Sequence, residues 1–314
     1  MSSNRPRVFV AGSTGMVGSA ICRRLLLEEY PVIRHQGHRV DLRNQSAAFD
    51  LIKNLNPQWV FLAAARVGGI YANNAFPAEF IYDNLMIQSN IINACYEMKV
   101  EKLLFLGSSC IYPRMAPQPM KEEYLLTGPL EPTNTPYAVA KIAGIVMTQS
   151  YRRQYGANFI SVMPSNLYGP FDNFDLKKSH VLPALIRKFH EAKVAGTDFV
   201  EIWGTGDVLR EFLHVDDLAD ACVFLMKNYN DLEIINIGSG KDLSILDLAK
   251  LIREVVGYQG ELKFQPAMPN GVNRKLLDIS KISSLGWKPS ISLREGLEST
   301  YRWYLENMDH LRKS

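Results

Sequence analysis

Arg7-Val8-Phe9-Val10-Ala11-Gly12-Ser13-Thr14-Gly15-Met16-Val17-Gly18 decides the fold. Arg7–Ala11 is a short, mostly apolar run of strand length. Glycines follow at GxxGxxG spacing, and Val17–Glu29 then carries apolar residues at helical spacing. Glycine in such a turn permits a tight reversal, lets backbone approach a pyrophosphate and lets the helix pack on the strand. The helix N-terminus adds N–H donors and a positive dipole end for the anion. Further apolar runs at Val32–Arg34, Trp59–Leu62, Leu103–Leu106 and Phe159–Pro164 alternate with helical periods, notably Phe80–Lys99 and Tyr137–Tyr155. That alternation predicts an α/β fold, a Rossmann-type doubly wound parallel sheet that binds a dinucleotide.

The chain has 314 residues, enough for a core domain and a smaller one. At 47% hydrophobic and 21% charged it can bury a large core. No apolar run approaches the roughly 20 residues of a membrane span, and MSSNRPRVFVAG lacks the apolar stretch of a signal peptide. A net charge of +3 does not suggest nucleic acid. The four cysteines, Cys22, Cys95, Cys110 and Cys222, form no CxxC and no disulfide framework, and no metal site is expected. A reducing cytoplasm fits best.

The glycine spacing points to the short-chain dehydrogenase/reductase branch. Gly12, Ser13, Thr14, Gly15, Met16, Val17 and Gly18 form the expected diphosphate turn, with Leu62, Ala63 and Ala64 beside them. An NAD site wants a carboxylate at the end of the second strand to bind the ribose 2′-hydroxyl. This chain has Val32-Ile33-Arg34-His35 there, and an arginine pairs with a 2′-phosphate, so NADP(H) is expected. Asp41 and Leu42 follow at a distance suited to the adenine edge.

Gly107-Ser108-Ser109-Cys110 and Tyr137-Ala138-Val139-Ala140-Lys141 carry the chemistry. Ser108 falls past the C-terminal end of a parallel strand, the edge where ligands bind. Tyr137 and Lys141 are i, i+4 and share one helix face. A phenol there can protonate a carbonyl oxygen as hydride arrives. A nearby ammonium is expected to lower the phenol pKa and hold the nicotinamide ribose, and Ser108 to hydrogen-bond the same oxygen. Cys22, Cys95 and Cys222 sit in apolar helical patterns and read as core. Cys110, on the active edge, can as a thiolate remove a proton alpha to a ketone. A partner acid should then exist. His35, His38, His190 and His310 read as surface or cofactor-side residues, and His214 as a structural hydrogen-bonding one. His180 follows the polar loop Asn173–Ser179 and is left as the candidate able to reach the substrate.

These residues and six longer stretches together resemble the GDP-L-fucose synthase family, the GDP-4-keto-6-deoxy-D-mannose 3,5-epimerase-4-reductases among extended short-chain dehydrogenases. The stretches are LAAARVGGIYANN (62–74), KLLFLGSSCIYP (102–113), EPTNTPYAVAKIAGI (131–145), SVMPSNLYGPFDNF (161–174), SHVLPALIRKFHEA (179–192) and REFLHVDDLADA (210–221). The resemblance implies a two-stage reaction. Cys110 as base and His180 as acid would invert C3 and C5 of the 4-ketosugar, and NADPH would then reduce C4, with Tyr137 as proton donor assisted by Ser108 and Lys141. It also implies that Pro164, Ser165, Asn166 and Leu167 line the nicotinamide and sugar, that His180 borders the cofactor, and that Asn166, Arg187, Lys188, Trp203, Arg210, Asn270 and Arg274 bind the nucleotide.

Three positions depart from the family. Thr14 stands where an arginine often contacts the 2′-phosphate, leaving NADP preference to Arg34. Lys188 replaces an arginine and loses the bidentate fork. Asn270 replaces an aspartate. The expected division is a cofactor domain of 1–166 plus about 201–240, and a nucleotide-sugar domain of about 167–200 plus 241–314. The first includes an apolar helix at Leu218–Met226 and a strand at Ile234–Ile237. Helices 80–98 and 137–155 would pair with their copies in a homodimer, with Ile142, Ile145 and Met147 offering apolar faces. A 4,6-dehydratase is disfavoured because Ser109-Cys110 occupies the place of its Asp-Glu pair. A 4-epimerase has no use for the Cys/His pair, and a non-catalytic NADP-binding regulator would not need Ser108, Tyr137 and Lys141 together.

Overall fold

The computed structural model of the chain describes residues 5–33, 40–268 and 271–311. Arg34, His35, His38 and Asn270 lie outside the described residues, as does the side chain of His310. The elements run β1 (Val8–Ala11), α1 (Met16–Leu27), β2 (Val32–Ile33), α2 (Gln45–Leu55), β3 (Trp59–Leu62), α3 (Ile70–Ala75), α4 (Pro77–Glu97) and β4 (Lys102–Leu106). They continue with α5 (Thr135–Tyr155), β5 (Phe159–Pro164), β6 (Asn166–Tyr168), α6 (Val181–Ala195), β7 (Phe199–Trp203), β8 (Leu209–His214) and α7 (Val215–Asn228). The last are β9 (Ile235–Ile237), β10 (Asp242–Ser244), α8 (Ile245–Val256), β11 (Glu261–Gln265), β12 (Arg274–Lys275), α9 (Ser280–Ser284) and α10 (Leu293–Asn307).

The main sheet has the order β2-β1-β3-β4-β5-β9, and every pair in it is parallel. Its direction of growth reverses between β1 and β3, and a crevice opens at the carboxyl ends of strands at such a reversal. Both faces are covered, which is why the strands read as unbroken apolar runs. Val8, Val10, Phe61, Leu104 and Val162 face α1 and α7, and Phe9, Val60, Leu62, Phe105 and Met163 face α2, α4 and α5. Cys22 and Cys222 are buried in the first layer and Cys95 in the second. Burial pushes the Cys95 and Cys222 thiols far above the usual range, so both act as small hydrophobes.

A third core joins α6, α8 and α10 to the β7–β11 pair, around Leu185, Phe189, Leu248, Ile252 and Tyr304. Between the bodies, β8 takes β10 and β12 along its first half and β6 along its second. The C-terminal stretch is shared. Leu277, Ile279, Ile282 and Trp287, placed by sequence with the smaller domain, pack into the layers of the main sheet. Among the described residues no helix is long and apolar enough to cross a membrane.

Glu211 joins the two bodies from the middle of β8. Its side chain is fully buried and accepts from Gly240 N at 2.7 Å, Leu277 N at 3.0 Å and Ser239 Oγ at 3.4 Å. Burial pushes its carboxyl up to about 7, against these hydrogen bonds, which favour the charged form. The native state therefore holds a proton that the unfolded chain has released, and stability falls as pH rises from the ordinary glutamate value through 7. The linked loss is on the order of 3 kcal/mol. Glu211→Gln is expected to flatten this slope in chemical denaturation between pH 5 and 8; an unchanged slope would refute the assignment.

Candidate active site

The glycine turn is built by close approach. Gly12 has φ +87°, and a Cβ there would lie 2.8 Å from Ala64 N; one on Gly18 would lie 2.1 Å from Gly12 O. Gly15 has more room, its nearest neighbour being Gly12 O at 3.4 Å. It is the N-cap of α1 and, as a glycine, offers the helix amides no side-chain cap, and Ser13 and Thr14 beside it are exposed. A helix N-terminus above a glycine turn fits a dinucleotide diphosphate. At the expected adenine edge Leu42 is half-buried, and Asp41 is gripped by Arg43 at 2.9 Å. Arg43 continues to the buried Asp83 at 3.0 Å, and Asp83 to Arg66 at 2.9 Å. Neither arginine is marked by sequence spacing, since both depend on where α4 puts Asp83.

Ser108 follows β4 in extended conformation, and its Oγ accepts from Cys110 N at 3.3 Å as a single 3-10 turn, Ser109–Ile111, begins. The same hydroxyl neighbours the Cys110 thiol and the Tyr137 phenol and favours the charged form of each, against burial. Lys141 is buried one helical turn past Tyr137, and its Nζ donates to Leu106 O at 2.7 Å. Burial lowers this ammonium to about 8, with Cys110 acting in the opposite direction. The expectation that Lys141 lowers the phenol pKa is not met. Burial pushes Tyr137 well above its ordinary value and Cys110 adds to the rise, with only Ser108 opposing it. A desolvated phenol dominates the nearby cation, so Tyr137 carries its proton at neutral pH.

His180 is the N-cap of α6, in extended conformation, and its imidazole makes no capping bond. It is solvent-exposed yet closely surrounded by protein, as a group lining an open cleft is; burial, then Lys275, pushes it below the usual range. The preceding loop is ordered by Asp175, whose Oδ1 accepts from Lys177 N at 2.9 Å and Lys178 N at 2.7 Å. Its position is set by Gly69, whose N donates to Lys178 O at 2.9 Å and where a Cβ would lie 2.3 Å from Ser179 O. Ser165 Oγ, past the end of β5, is buried with no hydrogen-bond partner among the described residues and suits a ligand polar group.

The expected nucleotide contacts come from α6, β6, β7, β8 and β12, and several hold local partners. Lys188 donates to Glu201 O at 2.9 Å and lies 5.5 Å from the ring centre of the half-exposed Trp203. Arg187 binds Glu191 at 2.6 Å, and Asn166 donates to Glu211 O at 2.8 Å. Arg274 is paired with Asp242 at 2.5 Å. Burial brings the Arg210 guanidinium down to about 10, with Glu131 opposing. His214 is structural as expected: it caps α7 by accepting from Asp216 N at 3.3 Å. Lys275 was not foreseen. It interacts electrostatically with Cys110, His180, Arg210 and Glu131, and the only sequence sign of it is strand alternation in Arg274-Lys275.

Residues 8–238 match the family described as the NAD dependent epimerase/dehydratase family. GDP-L-fucose synthase 1 of Arabidopsis thaliana is 56% identical over 309 residues, covering 98% of this chain and 96% of that protein. The chain belongs to the NAD dependent epimerase/dehydratase family, in its GDP-L-fucose synthase group. GDP-L-fucose synthase of Escherichia coli K12 is 50% identical over 98% of this chain and 99% of that protein. Among solved structures, a GDP-L-fucose synthetase from Naegleria fowleri bound to NADP superposes with a TM-score of 0.90 at 28% identity, over 99% of each chain. A GDP-6-OMe-4-keto-L-xylo-heptose reductase from C. jejuni superposes with a TM-score of 0.92 at 39% identity, over 98% of this chain and 99% of that one. The glycine turn is where the family's cofactor chemistry begins, and its geometry makes a prediction. Gly18→Ala is expected to weaken NADPH binding in a fluorescence titration by roughly tenfold or more, because its Cβ would displace the Gly12 carbonyl; unchanged affinity would refute the reading of the turn.

Proposed function

We propose that the chain converts GDP-4-keto-6-deoxy-D-mannose to GDP-L-fucose, by epimerisation at C3 and C5 followed by NADPH-dependent reduction at C4. One observation carries the reading: Ser108, whose Oγ accepts from Cys110 N at 3.3 Å, neighbours both the Cys110 thiol and the Tyr137 phenol closely enough to favour the charged form of each. A ketone oxygen held by Ser108 therefore has the base for one chemistry and the proton donor for the other beside it. The ketone acidifies the neighbouring C–H bonds first and accepts hydride afterwards.

The glycine turn, Ala64, Lys141 and Ser165 would hold NADPH, which supplies the hydride when bound. The Cys110 thiolate would take the proton from C3 and from C5 in separate steps, the electron pair passing each time to the ketone oxygen as an enolate beside Ser108. His180 would return a proton to the other face. At reduction Tyr137 gives its proton to O4; its raised pKa keeps that proton on the phenol at neutral pH until the more basic alkoxide forms. Lys188, Trp203 and Arg210 would receive the GDP, and Arg43 and Arg66, held by Asp41 and Asp83, would offer N–H donors at the adenosine end where Thr14 has no guanidinium. Reduction without epimerisation is the second reading, since the heptose reductase relative resembles this chain at 39% identity.

A homodimer through α4 and α5 in the cytosol completes the proposal. Its apolar face differs from the expected one: Ile142 and Ile145 are buried in the core and Met147 packs against it, while Tyr82, Val139, Val146 and Tyr155 are exposed.

Proton NMR of the reaction in deuterated water with NADPH tests the function. The expected product carries deuterium at C3 and C5, and product lacking it would favour the reductase reading. Tyr137→Phe is expected to slow reduction by about 10²-fold or more while deuterium still washes into the ketosugar. Cys110→Ser is expected to stop the wash-in. Loss of both signals in each variant would refute the division of roles.

A further inference from the structure

The loop that delivers His180 rests on another loop. Residues 63–69, between β3 and α3, form no helix or strand, and two buried asparagines bond their backbone instead. Asn84 of α4 accepts from Arg66 N at 3.0 Å and donates to Arg66 O at 3.0 Å. Asn73 of α3 donates from Nδ2 to Gly68 O at 2.7 Å and to Gly69 O at 3.0 Å. A side-chain amide has two N–H groups, and Asn73 spends both on this turn; the reversed amide would set an oxygen against two carbonyls.

The Gly68–Gly69 turn is wedged between two parts of the site. On one side Gly69 N donates to Lys178 O at 2.9 Å, and a Cβ on Gly69 would lie 2.3 Å from Ser179 O, the carbonyl that precedes His180. On the other side a Cβ on Gly68 would lie 3.2 Å from Cζ of Phe80. The Phe80 ring meets the Tyr137 ring edge-on, with centres 6.3 Å apart. α3 also packs against Pro132–Asn134, the turn that leads into α5. Bare backbone at 68–69 therefore sets the spacing between the peptide that carries His180 and the ring that backs Tyr137.

We infer that Asn73 is the positioning residue for His180: by gripping the Gly68–Gly69 turn it holds the 178–180 backbone where the imidazole can protonate the far face of the enolate. The inference rests on the proposed roles of Cys110 and His180. Exchange and inversion make different demands there. For exchange, Cys110 takes the C–H proton, the sulfur trades it with solvent, and the solvent hydron returns to the same face with configuration retained. For inversion, His180 must deliver its proton to the opposite face before that return. A displaced His180 loses inversion and leaves exchange in place, because proton delivery depends steeply on reach.

The test follows GDP-4-keto-6-deoxy-D-mannose with NADPH in deuterated water, reading deuterium and configuration at C3 and C5 by proton NMR of the product and the remaining ketosugar. In Asn73→Leu and in Gly69→Ala the ratio of inverted to exchanged centres is expected to fall by about tenfold or more. Exchange itself and NADPH affinity are expected to stay near the parent values. In a His180→Gln background, where the acid is already gone, Asn73→Leu is expected to lower the ratio no further. A merely structural role would lower exchange and inversion together; that result, or an unchanged ratio in both variants, overturns the inference. If Asn73→Leu folds poorly by thermal melt, Gly69→Ala decides. The parent chain separates the two claims. No deuterium at C3 or C5 in the parent sinks the proposed function and this inference with it. Deuterium and inversion in the parent, with an unchanged ratio in the variants, sinks the inference alone.

Discussion

Gly18 has no space for a side chain, because a Cβ there would lie 2.1 Å from the carbonyl oxygen of Gly12. Much of the molecule depends on that contact. It seats α1 directly on the end of β1, which leaves the helix N-terminus open at the reversal point of the sheet. The neighbouring approach of Gly12 to Ala64 does the same for the end of β3. Two backbone-on-backbone contacts thus hold the crevice open where a larger residue would fill it. Everything chemical is then arranged along one sheet edge: Ser108 past β4, Ser165 past β5, and α5 bringing Tyr137 and Lys141 across the gap.

Burial sets the electrostatics of that edge more than pairing does. It raises the phenol of Tyr137 and the thiol of Cys110 and lowers the ammonium of Lys141 and the imidazole of His180. Each group is driven toward its neutral form, so the cleft holds potential charges whose formation awaits a partner. For a carbon acid this is useful, since the charge created on deprotonation appears where water no longer screens it. It also explains why the cations matter by position as much as by number: Lys141 is spent on a carbonyl and Arg274 on a carboxylate.

The main strands and long helices were legible in the sequence because a parallel sheet covered on both faces must be written as apolar runs. β1, β3, β4 and β5 fall within a residue of their expected bounds. Ser108, Cys110, Tyr137 and Lys141 were legible because their spacing along a loop and one helix face is local. What escaped was non-local. Lys275 meets the cleft only through the pairing of β12 with β8, and Arg43 meets Arg66 only through Asp83 on α4. The exposed face of α5 was misjudged for a related reason. That helix is covered by the sheet on one side and α4 on another, so Ile142 and Ile145, which look like an interface, are core. The pKa of Tyr137 was misjudged because spacing reveals a neighbouring cation but not the loss of water.

The sixth strand of the main sheet comes late in the chain. β5 ends at Pro164, yet its outer neighbour β9 is Ile235–Ile237, after α6, β7, β8 and α7 have been laid down. During synthesis the first five strands can assemble while β5 is still an open edge, with apolar residues such as Phe159, Ile160 and Val162 along it. An uncovered edge of that composition is a template for pairing with another chain. The interval before Ile235 leaves the ribosome is therefore when this protein is most exposed to misassembly, and the same strand that completes the sheet brings that interval to an end.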